Sequence, residues 1–157
     1  MKIPRVLFVC TYCGIRSLIA EKFTKQLASG KIEAYSSSFE SGKISPLAIA
    51  VMNEIGINLP TNAPKSVWDR FVDKEAFDWV VTLCDETSSG QQCPIFKENV
   101  DGLYAENAKR LSWSVLAFDS LSGTDEEQKA GARKIRDQIK SEVLKFLSRI
   151  GIEADIT

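Results

Sequence analysis

Val6-Leu7-Phe8-Val9 is a short, unbroken, β-branched-rich apolar run, and it leads straight into Cys10-Thr11-Tyr12-Cys13-Gly14-Ile15-Arg16-Ser17. An apolar run without alternation is what a strand buried on both faces requires. Beyond it, Ile19, Phe23 and Leu27 recur every four residues and mark one face of a helix, which Gly30 is placed to stop. A buried strand, a tight loop and an amphipathic helix make the first half of a right-handed crossover, so the chain is directed toward a parallel sheet.

The same alternation continues downstream. Glu33 to Phe39 reads as a second strand. Ser45-Pro46 opens a helix with serine as cap and proline at the first helical position; Leu47, Val51 and Ile55 form its apolar stripe and Gly56 ends it. A loop over Asn58 to Pro64 and a short helix around Val67–Phe71 precede a third strand, Trp79 to Leu83, and Leu111 to Val115 supplies a fourth. Thr124-Asp125-Glu126-Glu127 has the spacing of a capping box and opens a long helix carrying Ile135, Ile139, Val143, Phe146 and Ile150. The expectation is one α/β domain over residues 1–157, an open parallel sheet of about four strands with helices on both faces. A chain of 157 residues, 44% hydrophobic and 26% charged, suits a single soluble core.

Charge and hydropathy narrow the partners. A formal charge of −1, from 20 basic and 21 acidic side chains, gives no reason to expect nucleic acid or an anionic membrane. No apolar run approaches the ~20 residues that span a bilayer. The N-terminus lacks the length and cleavage site of a signal peptide, so the cytoplasm is the expected compartment. There, cysteines such as Cys10, Cys13, Cys84 and Cys93 signal catalysis, redox work or metal more often than a structural framework. Histidine is absent, which excludes Ser-His and Cys-His catalysis and removes the commonest metal ligand.

Ligands of open α/β sheets bind beyond the carboxyl ends of the strands, where Cys10 is expected. Amides of Thr11, Tyr12, Cys13, Gly14, Ile15 and Arg16 can converge as an anion nest, and the following helix start adds positive potential. The same field stabilises a thiolate on Cys10. Arg16 can grip two oxygens of a tetrahedral anion with its planar fork, and Ser17 offers a hydroxyl near the sulfur. The plainer alternative is a core cysteine followed by an incidental arginine. The strand before the motif and the helix after it favour an oxyanion site.

These residues carry a resemblance. Val6–Ser17 resembles the phosphate-binding loop of the low-molecular-weight protein tyrosine phosphatase superfamily. Ser45-Pro46 through Glu54–Ile57, Val80–Asp85, Cys93-Pro94 and the helix around Arg133–Ile139 resemble its thioredoxin-coupled arsenate reductase branch. The resemblance implies a phosphatase-like fold and an enzyme that needs no cofactor, with arsenate or a phosphate-like oxyanion as ligand and thioredoxin as reductant. It further implies a relay: Cys10 attacks arsenic, Cys84 attacks Cys10 as arsenite leaves, and Cys93 moves the disulfide to a Cys84–Cys93 pair. A tyrosine phosphatase of this fold, needing one cysteine, and a non-catalytic oxyanion-binding or redox-sensing relative are the alternatives.

Three positions depart from the family pattern. Cys13 stands where an asparagine usually braces the loop, and Ile15 stands where a second loop cysteine is usual. Ala117 occupies the place of the general acid, an aspartate before proline, leaving Asp119 as the substitute acid. Cys13 also creates Cys10-Thr11-Tyr12-Cys13, so Cys13 could resolve Cys10 directly. A zinc site from the four cysteines is disfavoured, because eight residues separate Cys84 from Cys93.

Overall fold

The computed structural model describes residues 2–12, 15–40, 42–60, 64–87, 93–104, 106 and 108–155. Four strands, β1 (Arg5–Tyr12), β2 (Glu33–Glu40), β3 (Trp79–Cys84) and β4 (Lys109–Ser114), form one sheet in the order β2-β1-β3-β4. Every pairing is parallel. The helices are α1 (Ile15–Leu27), α2 (Pro46–Asn53), α3 (Val67–Val72), α4 (Cys93–Tyr104) and α5 (Asp125–Arg149), with a 3-10 turn at Phe118–Ser120.

The central strand explains the layering. Val6, Phe8 and Cys10 point to one face and pack with Ile19 and Phe23 of α1, Val51 of α2 and Ile139, Val143 and Phe146 of α5. Leu7 and Val9 point to the other and pack with Val67 of α3 and Phe96 and Val100 of α4. Strand alternation therefore divides one apolar run between two cores, which is why the run shows no polar positions. At the start of α5, Thr124 Oγ1 accepts from the Glu127 N–H at 3.2 Å while the Thr124 N–H donates to Glu127 Oε1 at 3.3 Å, completing the expected capping box.

Three elements differ from expectation. First, β1 continues through Tyr12, whose backbone still pairs with Glu40, and α1 already begins at Ile15. Ladder pairing with the full length of β2 extends the strand into what reads as a loop. Second, α2 stops at Asn53, and its buried residues are Ala48, Val51 and Met52, while Ile55 is 40% exposed. The chain turns away there through Gly56, whose φ of +79° suits glycine. Third, α4 is a helix that the sequence reading does not anticipate. No helix among the described residues is long and apolar enough to cross a membrane.

Candidate active site

The carboxyl ends of β1 and β3 bring the expected residues to one edge of the sheet. Cys10 is fully buried in register with Leu83 of β3 and Ser38 of β2. Its Sγ lies 3.5 Å from Ser17 Oγ, and Ser17 donates its own proton to the Ser37 carbonyl at 3.0 Å. A serine hydroxyl has one proton. While that proton lies on Ser37, the oxygen presents lone pairs to the sulfur, an arrangement that accepts a bond from the thiol.

Arg16 is 1% exposed, and its guanidinium is anchored on both sides. Nη1 donates to the Val115 carbonyl at 2.8 Å and Nη2 to Thr11 Oγ1 at 2.9 Å. The first bond joins residues 99 apart in sequence. It fixes the arginine against the segment that leads from β4 into the Phe118–Ser120 turn. A guanidinium held this way keeps its plane without spending all five N–H donors, so the remaining ones can meet an anion. Val115 is a bridge, since its N–H also donates to the Cys84 carbonyl at 3.2 Å.

Cys84 ends β3, one residue beyond the partner of Cys10, and alternation sends its side chain to the opposite face. There it forms a disulfide with Cys93, the first residue of α4, with Cα atoms 5.9 Å apart. Both cysteines are buried, at 1% and 5% exposure. Asp85 follows Cys84 and is also buried; its Oδ1 accepts from the Thr87 N–H at 3.0 Å and from Thr87 Oγ1 at 2.5 Å.

Asp119 is exposed on the 3-10 turn, while its neighbour Phe118 is buried in the same core as Cys10. Leu121, just beyond, lies close to α5 at Gly131, where a Cβ would come within 2.5 Å of Leu121 Cδ2. Glycine at that position lets the Asp119 segment seat on the helix. Cys13 and Gly14 lie outside the described residues, as does the side chain of Tyr12. The structure thus gathers Cys10, Thr11, Ile15, Arg16 and Ser17 at one point, with Cys84 and Cys93 adjacent across the sheet and Asp119 at the surface nearby in sequence to Val115. The acceptors Ser37 and Val115 escaped the sequence reading, because both act through backbone carbonyls. The run Ser36-Ser37-Ser38 in a buried strand was the one available signal for the first.

Fold and site define a class: an open parallel α/β domain with a cysteine, an arginine and a serine gathered at the carboxyl end of a central strand. The model of the low molecular weight phosphotyrosine protein phosphatase family matches residues 5–155, and the chain belongs to that family. An arsenate reductase of Shouchella clausii (strain KSM-K16) is 30% identical over 141 residues, spanning 90% of this chain and 93% of its own. A solved arsenate reductase in its oxidized state has a TM-score of 0.71 at 28% identity, covering 94% of this chain and 99% of that one. Another, in a phosphate binding state, has a TM-score of 0.64 at 26% identity with the same coverage, 94% and 99%.

Proposed function

We propose that this chain reduces arsenate to arsenite in the cytoplasm, with Cys10 as nucleophile and Cys84 and Cys93 as a disulfide relay. The observation that carries the reading is the Cys84–Cys93 disulfide, one residue along the sheet from the register partner of Cys10. A phosphatase has no use for that pair, because phosphorus does not take up two electrons. The naming of relatives as arsenate reductases supports the same substrate.

Arsenate enters beside the Cys10 sulfur, with Arg16 gripping its oxygens. The Cys10 thiolate forms a bond to As(V) as an oxygen leaves as water, with Asp119 as the proton donor. Cys84 then attacks Cys10 Sγ; the S–As electron pair stays with arsenic, which departs as As(III), and a Cys10–Cys84 disulfide remains. Cys93 attacks Cys84, releasing the Cys10 thiolate and leaving the Cys84–Cys93 disulfide. A dithiol protein of the thioredoxin class returns that pair to thiols and supplies the two electrons. Because Cys84 faces away from Cys10 while bonded to Cys93, the relay requires it to turn across the sheet end.

The test is a Cys93→Ser variant given arsenate and then analysed by mass spectrometry. A trapped Cys10–Cys84 disulfide is the expected product, and unimpaired multiple turnover with thioredoxin sinks the relay. A second reading, phosphotyrosine hydrolysis, is favoured by the family description itself. Hydrolysis of p-nitrophenyl phosphate outpacing arsenate reduction by the reduced wild type would establish it.

A further inference from the structure

β2 is an edge strand of the sheet, so apart from the isolated bridge of Ser38 to Ser66 its outward backbone groups have no ladder partner among the described residues. Midway along the strand this edge is covered by Arg70 of α3, while Trp68 of the same helix donates from Nε1 to the Phe39 carbonyl at 3.3 Å further on. Arg70 Nη2 donates to the Ser36 carbonyl at 3.0 Å, Nε to Ser37 Oγ at 2.6 Å, and Nη1 to Glu75 Oε1 at 2.8 Å. The guanidinium lies 5.4 Å from the centre of the Tyr35 ring, and the side chain is only 11% exposed. Helix α3 is already fastened at its start, where Ser66 bridges to Ser38 and caps Asp69. The three bonds of Arg70 therefore do more than dock a short helix. Two of them hold consecutive residues of β2, and the second residue is Ser37, whose carbonyl takes the Ser17 proton.

We propose that Arg70 is a positioning residue for Cys10, acting through Ser37 and Ser17; this rests on Cys10 being the nucleophile. Ser17 has a single proton, and among the described residues the Ser37 carbonyl and the Cys10 sulfur compete for it. With the proton on Ser37 the sulfur is supported as a thiol. To support the thiolate, the hydroxyl must rotate from Ser37 toward Sγ. By clamping Ser36 and Ser37, Arg70 keeps the competing carbonyl in place and so sets how readily Cys10 ionises. Lysine keeps the positive charge but is a single point donor that cannot serve Ser36, Ser37 and Glu75 at once.

The charged groups facing Arg70 are Glu75, which it contacts directly, and Lys65, paired with both Glu75 and Asp73. Burial pushes the Glu75 carboxyl up, but Lys65 and Arg70 together outweigh it and hold it below its ordinary value. The Arg70→Lys exchange leaves the formal charge of this cluster unchanged, so an effect on Cys10 reports geometry.

The experiment titrates the ultraviolet absorbance of the Cys10 thiolate in a Cys13→Ser background with the Cys84–Cys93 disulfide intact, where Cys10 is the one remaining thiol. Arg70→Lys, Ser17→Ala and their combination are compared. Arg70→Lys is expected to lower the ionisation midpoint by roughly half a pH unit or more. In the Ser17→Ala background the same exchange is expected to leave the midpoint where it is, because the carrier of the coupling has gone. No shift, an upward shift, or equal shifts in both backgrounds overturns the proposal. Should Arg70→Lys fail to fold, Ser37→Ala removes the 2.6 Å contact with the arginine in place; it is expected to shift the midpoint in the same direction, and an unmoved midpoint overturns the proposal. Arsenate takes no part in the titration, so a failed reductase assay and a failed role for Arg70 are separate results.

Discussion

The two cysteine sites at this end of the sheet are neighbours built on different terms. Around Cys10 the ties are long-range and buried: Arg16 reaches Val115 and Ser17 reaches Ser37. Around Cys84 the tie is local, a disulfide spanning nine positions of sequence on the opposite face. One site is preorganised by the whole fold, as the proposed anion site needs. The other is closed by a disulfide, a bond that a reductant can open, as the proposed relay needs. Val115 joins them, with its N–H donating to the Cys84 carbonyl and its own carbonyl accepting from Arg16.

Removing Arg16 tests the first half of this contrast and should have the largest effect. Arg16→Ala deletes a buried side chain and strands the Val115 carbonyl, so it is expected to cost about 3 kcal/mol or more of unfolding free energy in urea. Arg16→Lys retains the charge but loses the fork, and about half that cost is expected. The wild type is expected to gain unfolding midpoint in millimolar phosphate or arsenate, and both variants are expected to lose that gain. A loss below about 1 kcal/mol for Arg16→Ala would mean that the cradle is not held by the fold.

Opening the disulfide tests the other half. Closing a loop of about ten residues stabilises a chain by roughly 2–3 kcal/mol on the loop-entropy account, so reduction should lower the unfolding free energy by up to that much. Hydrogen exchange should locate the loss in α4, whose first residue is Cys93, with α1 amides keeping their protection. Equal loss of protection in α1 breaks the contrast and makes Val115 a rigid coupling.

How far the sequence reveals each region follows from the range of the forces that build it. β1, its helix and the capping box are set by local pattern, and Val6–Val9, Ile19–Leu27 and Thr124–Glu127 display it plainly. Helix α4 was hidden: its buried positions Phe96, Val100 and Tyr104 are spaced correctly, and Pro94 marks its start. Yet Gly102 interrupts it and a polar stretch precedes it, so Cys93 reads as a loop residue. The proposed roles of Cys10, Arg16 and Ser17 are legible because residues within one short stretch of sequence carry them. Their acceptors are backbone atoms on other strands, and Arg70 reaches Ser37 across 33 positions, a contact no spacing encodes.

The smallest effect concerns acid, and it falls first on the Cys10 face. Glu54, just beyond α2, is tied to α5 by Arg133 at 2.7 Å and by Arg136 at 3.1 Å. The hydrogen bonds from Arg133, with Arg136 adding, hold its carboxyl at about 2 against an ordinary 4.5. A carboxylate whose folded value is depressed contributes stability above its unfolded value and loses it as pH falls through the folded one. The contribution of Glu54 should therefore be complete above about pH 4.5 and fade toward pH 2. Because the pair is exposed, the contribution is small and screened by salt. Arg136 also donates to the Val51 carbonyl at 2.8 Å, so loosening it slackens the seat of α2 over the core that holds Cys10. Urea midpoints at low salt between pH 2 and 5 should fall less steeply for Glu54→Gln than for the wild type. Parallel slopes would show that the clasp contributes nothing to this face, and that the buried bonds of Arg16 and Ser17 alone distinguish it.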